Sequence, residues 1–137
     1  MSLDISSFTS AVTRLAEGVC AMQAAPGDEL VRDGTIQRFE FTYELAHKML
    51  RRHLEFISAS PAEIDRMPFQ DLIRAGNEQG LLRSDWRKWR DFRQARNDTS
   101  HTYDASKAER VATQIPDFLE ESRHLLACLQ SAHPHST

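Results

Sequence analysis

The strongest constraint on the fold is the recurrence of apolar side chains at helical spacing along nearly the whole chain. Ile36, Phe39, Tyr43, Ala46, Leu50, Leu54 and Ile57 step by three and four, which puts them on one stripe of a long helix over roughly 29–58. Phe8, Val12, Leu15, Val19 and Met22 make a second stripe, with Ser6 or Ser7 placed to cap it and Pro26-Gly27 to end it. SASPAE reads as a turn, with Pro61 where a helix can restart. A short helix is expected after Pro68, carrying Phe69, Leu72 and Ile73, with Gly76 or Gly80 as its C-cap. Ser84 is placed to cap a helix carrying Trp86, Trp89, Phe92 and Arg96. The last stripe runs through Val111, Ile115, Phe118, Leu125, Leu126 and Leu129, capped by Asp104 or by Ser106 with Glu109. Pro116 predicts a kink there. No strand-like alternation and no internal repeat is present. The expectation is an all-α chain: an antiparallel, up-and-down four-helix bundle plus one short helix. It forms one domain over 1–131, with a disordered tail over 132–137.

A chain of 137 residues, 40% hydrophobic and 27% charged, has the balance of an ordinary soluble globule. Cys20 and Cys128 are far apart in sequence and form no CxxC pair, which fits a reducing cytoplasm. The first ten residues lack the basic flank and apolar core of a signal peptide, and no apolar run is long enough to span a bilayer. The net charge of −3 excludes a polyanion binder built on overall charge. The charge is uneven, however: Arg83, Arg87, Lys88, Arg90, Arg93 and Arg96 crowd one short segment against Asp85 and Asp91. That segment is either a solvated helix face or a track for a phosphate backbone.

Arg96 lies seven residues past Trp89 and four past Phe92, on the side of the aromatic stripe. A guanidinium there must snorkel, find a partner or line a cleft. His101 follows five residues later, which in an unbroken helix is a rotation of about 500° and a different face. Asn97-Asp98-Thr99-Ser100 intervenes, and all four side chains compete with the backbone for hydrogen bonds. A break there lets Arg96 and His101 converge, giving a phosphate-binding fork beside a group that exchanges protons near neutral pH. A histidine satisfied within a turn is the bland alternative.

The string Arg96-Asn97-Asp98-Thr99-Ser100-His101-Thr102-Tyr103 reads R-x4-H-x-Y and resembles the signature of the HEPN ribonuclease toxins. RFEFTYELAHKMLRRHLE at 38–55, RSDWRKWRDFRQARNDTSHTYD at 83–104 and IPDFL at 115–119 resemble the nucleotidyltransferase substrate-binding proteins of that superfamily. His47 departs from the resemblance, which leads one to expect a large aromatic there. The resemblance implies a cytoplasmic homodimer whose two motifs lie near a shared cleft, working with a separate minimal nucleotidyltransferase. It implies metal-independent RNA cleavage, with Arg96 and His101 catalytic, silenced when the partner adenylylates Tyr103. The alternative it carries is a non-catalytic subunit that presents substrate or nucleotide to the transferase.

The residues permit the cleavage chemistry. RNA supplies its own 2′-hydroxyl nucleophile, His101 can take its proton, and Arg96 can fork two N–H donors onto the phosphate. Arg87, Arg90 and Arg93, with Asn97, are the candidate RNA- or nucleotide-binding residues. Trp86 and Trp89 can stack bases, but their place on the stripe favours packing in the core or against a second subunit. Two E-x-x-H motifs, Glu44 with His47 and Glu121 with His124, suggest a di-iron bundle. Glu44 falls with Glu40, Lys48 and Arg51 on the polar face, no inward Glu is found on the Trp helix, and both motifs are expected to be surface charges. His124 with Cys128, and His133 with His135, fall short of a zinc ligand set. No metal and no cofactor is expected.

Overall fold

The structure, a computed structural model, describes residues 3–134. Six α-helices follow in order: α1 (Ser6–Ala24), α2 (Glu29–Ile57), α3 (Pro61–Asp65), α4 (Phe69–Glu78), α5 (Trp86–Asp98) and α6 (Ala105–Ala132), with a 3-10 turn, Thr99–His101, between the last two. There is no strand among the described residues. None of the helices is long and apolar enough to cross a membrane.

The expected stripes face inward except at their ends and one position: Ile57 is exposed, and Met22 and Leu126 are only partly buried. Phe8, Val12, Leu15 and Val19 from α1, Ile36, Phe39, Tyr43, Ala46, Leu50 and Leu54 from α2, and Val111, Ile115, Phe118, Leu125 and Leu129 from α6 are all buried. At the centre an aromatic cluster interlocks edge to face: Trp89 meets Phe92 at 5.4 Å and Phe118 at 5.8 Å between ring centroids, and Phe118 meets Phe39 at 5.1 Å. Such tilted pairs add to the hydrophobic gain of burying the rings. α1 and α2 approach closely at Gly18, whose carbonyl accepts from Thr35 Oγ1 at 3.1 Å. A Cβ on Gly18 would meet the Thr35 side chain at 3.0 Å.

The expected caps of α1 and α5 are corrected, while those of α4 and α6 hold. Neither Ser6 nor Ser7 caps α1. Ile5 holds that position, and Asp4 Oδ1 just outside accepts from the Ser6 amide and hydroxyl, a carboxylate being the stronger acceptor beside a helix N-terminus. Ser84 does not cap α5: its amide donates to Glu121, and Asp85 caps instead by accepting from the Lys88 amide at 3.2 Å. Asp104, one of the two candidates for α6, accepts from the amides of Ser106 and Lys107. Gly80, with φ +74°, closes α4: its own amide donates to the Asn77 carbonyl and the Leu81 amide reaches back to the Gly76 carbonyl at 2.9 Å. Pro61 starts a helix of its own, the five-residue α3. α6 runs through Pro116 as one helix of 28 residues.

The expected tail begins too early. Ala132 closes α6, and His133 is fully buried, accepting from the Leu3 amide at 3.0 Å and bonding His53 at 2.9 Å. A ring with two satisfied nitrogens and an edge-on contact to Phe56 has good reason to stay inside. His135 and the rest of the expected tail lie outside the described residues.

Candidate active site at the break after Arg96

α5 ends at Asp98 and the chain tightens into the 3-10 turn Thr99–His101 before α6. The cause is local. The Thr99 amide donates to the Arg96 carbonyl, closing a tighter turn, and the single Thr99 hydroxyl proton is shared between that carbonyl at 2.8 Å and Glu40 Oε2 at 2.5 Å. Glu40 and Glu44 sit one turn apart on α2. Glu44 Oε1 accepts from Arg96 Nε at 2.5 Å. α2 therefore grips both sides of the break, one carboxylate per side. The Arg96 side chain is about one-third exposed. Because the Glu44 bond uses only Nε, the two terminal nitrogens of the guanidinium remain for a ligand.

His101 is half-buried and Tyr103 is 85% exposed. The two meet: His101 Nδ1 lies 3.3 Å from the Tyr103 hydroxyl. In the tautomer whose Nδ1–H donates to the phenol oxygen, Nε2 is the nitrogen with a free lone pair. Arg96 bonds to Glu44 and His101 to Tyr103, rather than to each other. The other tyrosine, Tyr43, is buried in the aromatic cluster, and burial pushes its phenol well above the usual range.

The remaining expected binding residues divide. Arg93, Arg96 and Asn97 line one hollow with Tyr43, Glu44, His47 and Phe69. Arg93 rests its guanidinium over the Phe69 ring at 5.2 Å. Arg87 lies at a separate, shallower hollow beside Trp86 and Arg74, and Arg90 is exposed on α5. Trp89 and Phe92 are fully buried in the core of the chain, and Trp86 is half-buried against Phe69.

Sequence reasoning missed Glu40 and Glu44 as partners of the motif, reading them as polar-face charges. Two carboxylates at i and i+4 on the helix facing the motif were the available signal. It also misplaced Glu121, which is 2% exposed and accepts from the Arg83 and Ser84 amides and Trp89 Nε1. Three of the four residues of the E-x-x-H motifs have protein partners: Glu44 bonds Arg96, Glu121 those three donors, and His124 the Gly80 carbonyl at 2.9 Å; His47 has none at Nε2.

Comparison with known proteins agrees with this architecture. A solved Haemophilus influenzae structure, described as revealing the fold of a substrate binding domain of a nucleotidyltransferase, matches with a TM-score of 0.84 at 36% identity, over 93% of this chain and 99% of that one. The Haemophilus influenzae (strain ATCC 51907 / DSM 11121 / KW20 / Rd) protein named Probable ribonuclease HepT is 40% identical over 114 residues, 83% of this chain and 77% of that protein. Residues 3–131 match the family model described as nucleotidyltransferase substrate binding protein like, and the chain belongs to that family.

Proposed function

We propose that this chain is a HEPN-type ribonuclease that works beside a minimal nucleotidyltransferase and is neutralised by it. The observation that carries the reading is the break after Arg96, which Glu40 and Glu44 hold from α2 and which leads directly into the His101–Tyr103 pair. The relative named as a ribonuclease supports it. In the mechanism, His101 Nε2 takes the proton of a ribose 2′-hydroxyl. The 2′-oxygen bonds to phosphorus, the bond to the 5′-oxygen breaks, and that oxygen leaves with a proton taken from solvent water, while His101 keeps the 2′ proton and later gives it up to solvent. The terminal nitrogens of Arg96 stabilise the charge that builds on the phosphoryl oxygens. Arg87, Arg90 and Arg93 line the approach for the RNA backbone.

Tyr103 is the acceptor in the control step. Its oxygen attacks the α-phosphorus of ATP in the partner's site, pyrophosphate leaves, and the phenol proton goes to solvent. The product carries a phosphate beside His101 whose negative charge opposes a second polyanion. Exposure favours Tyr103, since Tyr43 is buried.

The bundle is a homodimer, up-and-down in its four main helices, that acts in the cytoplasm. Phe41 on α2 is 63% exposed and adjoins Glu40, with a hollow between α1 and α2 lined by Ser10, Ala11 and Gly34 beside it. Two copies pairing across this face bring their motifs toward one cleft. The test is RNA cleavage by purified protein. Arg96→Ala and His101→Ala should each abolish it while the fold persists, and EDTA should leave it intact. Expression without the neighbouring transferase should arrest growth. If the protein cuts no RNA and expression is harmless, the subunit that presents substrate to the transferase is the correct reading.

A further inference from the structure

The hollow lined by Tyr43, Glu44, His47, Phe69, Arg93, Arg96 and Asn97, about 190 Å³ in volume, contains more polar chemistry than the cleavage step uses. His47 packs edge-on against Phe69, ring centroids 4.7 Å apart, and its Nε2 is buried with no hydrogen-bond partner. An orphaned ring nitrogen at an otherwise aromatic site is costly. Phenylalanine would pack there without that cost. A residue that breaks the local packing rule with no structural return is the kind a functional site retains. Across the hollow, no hydrogen bond engages the Arg93 guanidinium or the Asn97 amide among the described residues, and Arg96 has its two terminal nitrogens free.

We infer that this hollow is a subsite for one nucleoside monophosphate unit, adjacent to the cleavage residues, with Arg93 and the open side of Arg96 holding the phosphate and His47 contacting the base. Two guanidiniums flanking one hollow suit a phosphate, since each offers a fork of N–H donors. An imidazole and a carboxamide offer hydrogen bonds to the edge of a base, and the Phe69 face adds apolar surface. His47 keeps a neutral ring: burial, and then Arg51, hold its pKa below the usual histidine value. A neutral imidazole both donates and accepts, so it can discriminate between bases, which a charged one does less well.

The inference takes its RNA source from the cleavage reading, and the test separates the two. Wild type, His47→Phe and Arg93→Ala are titrated with AMP, GMP, CMP and UMP and with short single-stranded oligonucleotides whose 2′-oxygens are methylated and cannot react. Wild type should prefer one base. His47→Phe should bind that preferred nucleotide about tenfold more weakly, as expected for the loss of one hydrogen bond, and lose the preference. Its urea midpoint should rise, because the orphaned nitrogen is gone, so the loss cannot be misfolding. Arg93→Ala should weaken all four nucleotides alike. Tighter binding of the oligonucleotides with the same dependence on His47 assigns the site to RNA; binding of free nucleotides alone assigns it to a mononucleotide ligand. Wild-type protein that binds neither, or His47→Phe that keeps the affinity and preference of wild type, overturns the inference. Base-selective, His47-dependent binding by a protein that cuts no RNA leaves it standing and refutes the cleavage reading instead.

Discussion

Removing the Glu121 carboxylate tests how the α4–α5 connection is held. Its Oε1 accepts from the Arg83 amide at 3.1 Å. Its Oε2 accepts from the Ser84 amide at 3.1 Å and from Trp89 Nε1 at 2.7 Å. One side chain on α6 thus anchors the chain entering α5 and the largest ring of the core. Glu121→Ala leaves three donors without their acceptor. Arg83 and Ser84 lie near the surface and can turn to water, but Trp89 is 1% exposed and cannot. An unsatisfied buried donor costs about 1–3 kcal/mol, and bonds to a charged acceptor are worth about 1.5–3 kcal/mol each. Part of this is returned, because the carboxylate is no longer desolvated. The expected net loss is about 3–4 kcal/mol. At roughly 2 cal/mol/K of unfolding entropy per residue, that lowers Tm by about 10–14 °C. Glu121→Gln keeps an acceptor for Trp89 and Ser84 but turns its NH2 toward the Arg83 amide, so about half the loss is expected. Urea unfolding followed by tryptophan fluorescence and far-UV circular dichroism measures both variants. A loss below about 1 kcal/mol for Glu121→Ala, or a Gln variant worse than the Ala variant, would refute the accounting.

Glu44→Ala should lower RNA cleavage by about ten- to a hundredfold through loss of the Arg96 orientation, with Glu44→Gln falling less because it keeps an acceptor for Nε; single-turnover rates on one RNA measure this. Stability should fall as pH drops below about 6.5: burial, and then the charge of His133, depress the pKa of His53, and burial likewise that of His47. The unfolded chain then binds protons that the native state refuses, so stability present above 6.5 is lost by up to about 1.4 kcal/mol per histidine for each unit below it. The hydrogen-bond chain gives the same sign, because the Leu3 amide donates to His133 Nδ1 and so directs the proton on Nε2 toward His53 Nδ1, leaving no room for another. A urea midpoint that is flat from pH 7.5 to 5.5 contradicts this. Tyr103→Phe should remain a nuclease but gain no AMP-sized mass increment with partner, ATP and Mg²⁺; an increment on the Phe variant places the acceptor elsewhere.

Long apolar stripes fixed the helices from sequence, because a 3.6-residue period is a local property that core burial only reinforces. The stripe ending at Ile57 matches α2, and Asn97–Ser100 marks the break after Arg96, because side chains that bond their own backbone act within a few residues. The three parts of R-x4-H-x-Y were legible for the same reason: they lie within eight positions. The rest depended on neighbours distant in the chain. Glu121 looks like one more polar residue on α6 until Trp89 and the Arg83–Ser84 backbone, over 30 residues earlier, are brought to it. Glu40 and Glu44 gain their role from a helix more than 50 positions later. His133 belongs to the core only because the two ends of the chain meet across His53. Local propensity and periodicity write helices into a sequence, but a buried polar group is decided by which donors and acceptors reach it, and the tertiary packing alone sets that.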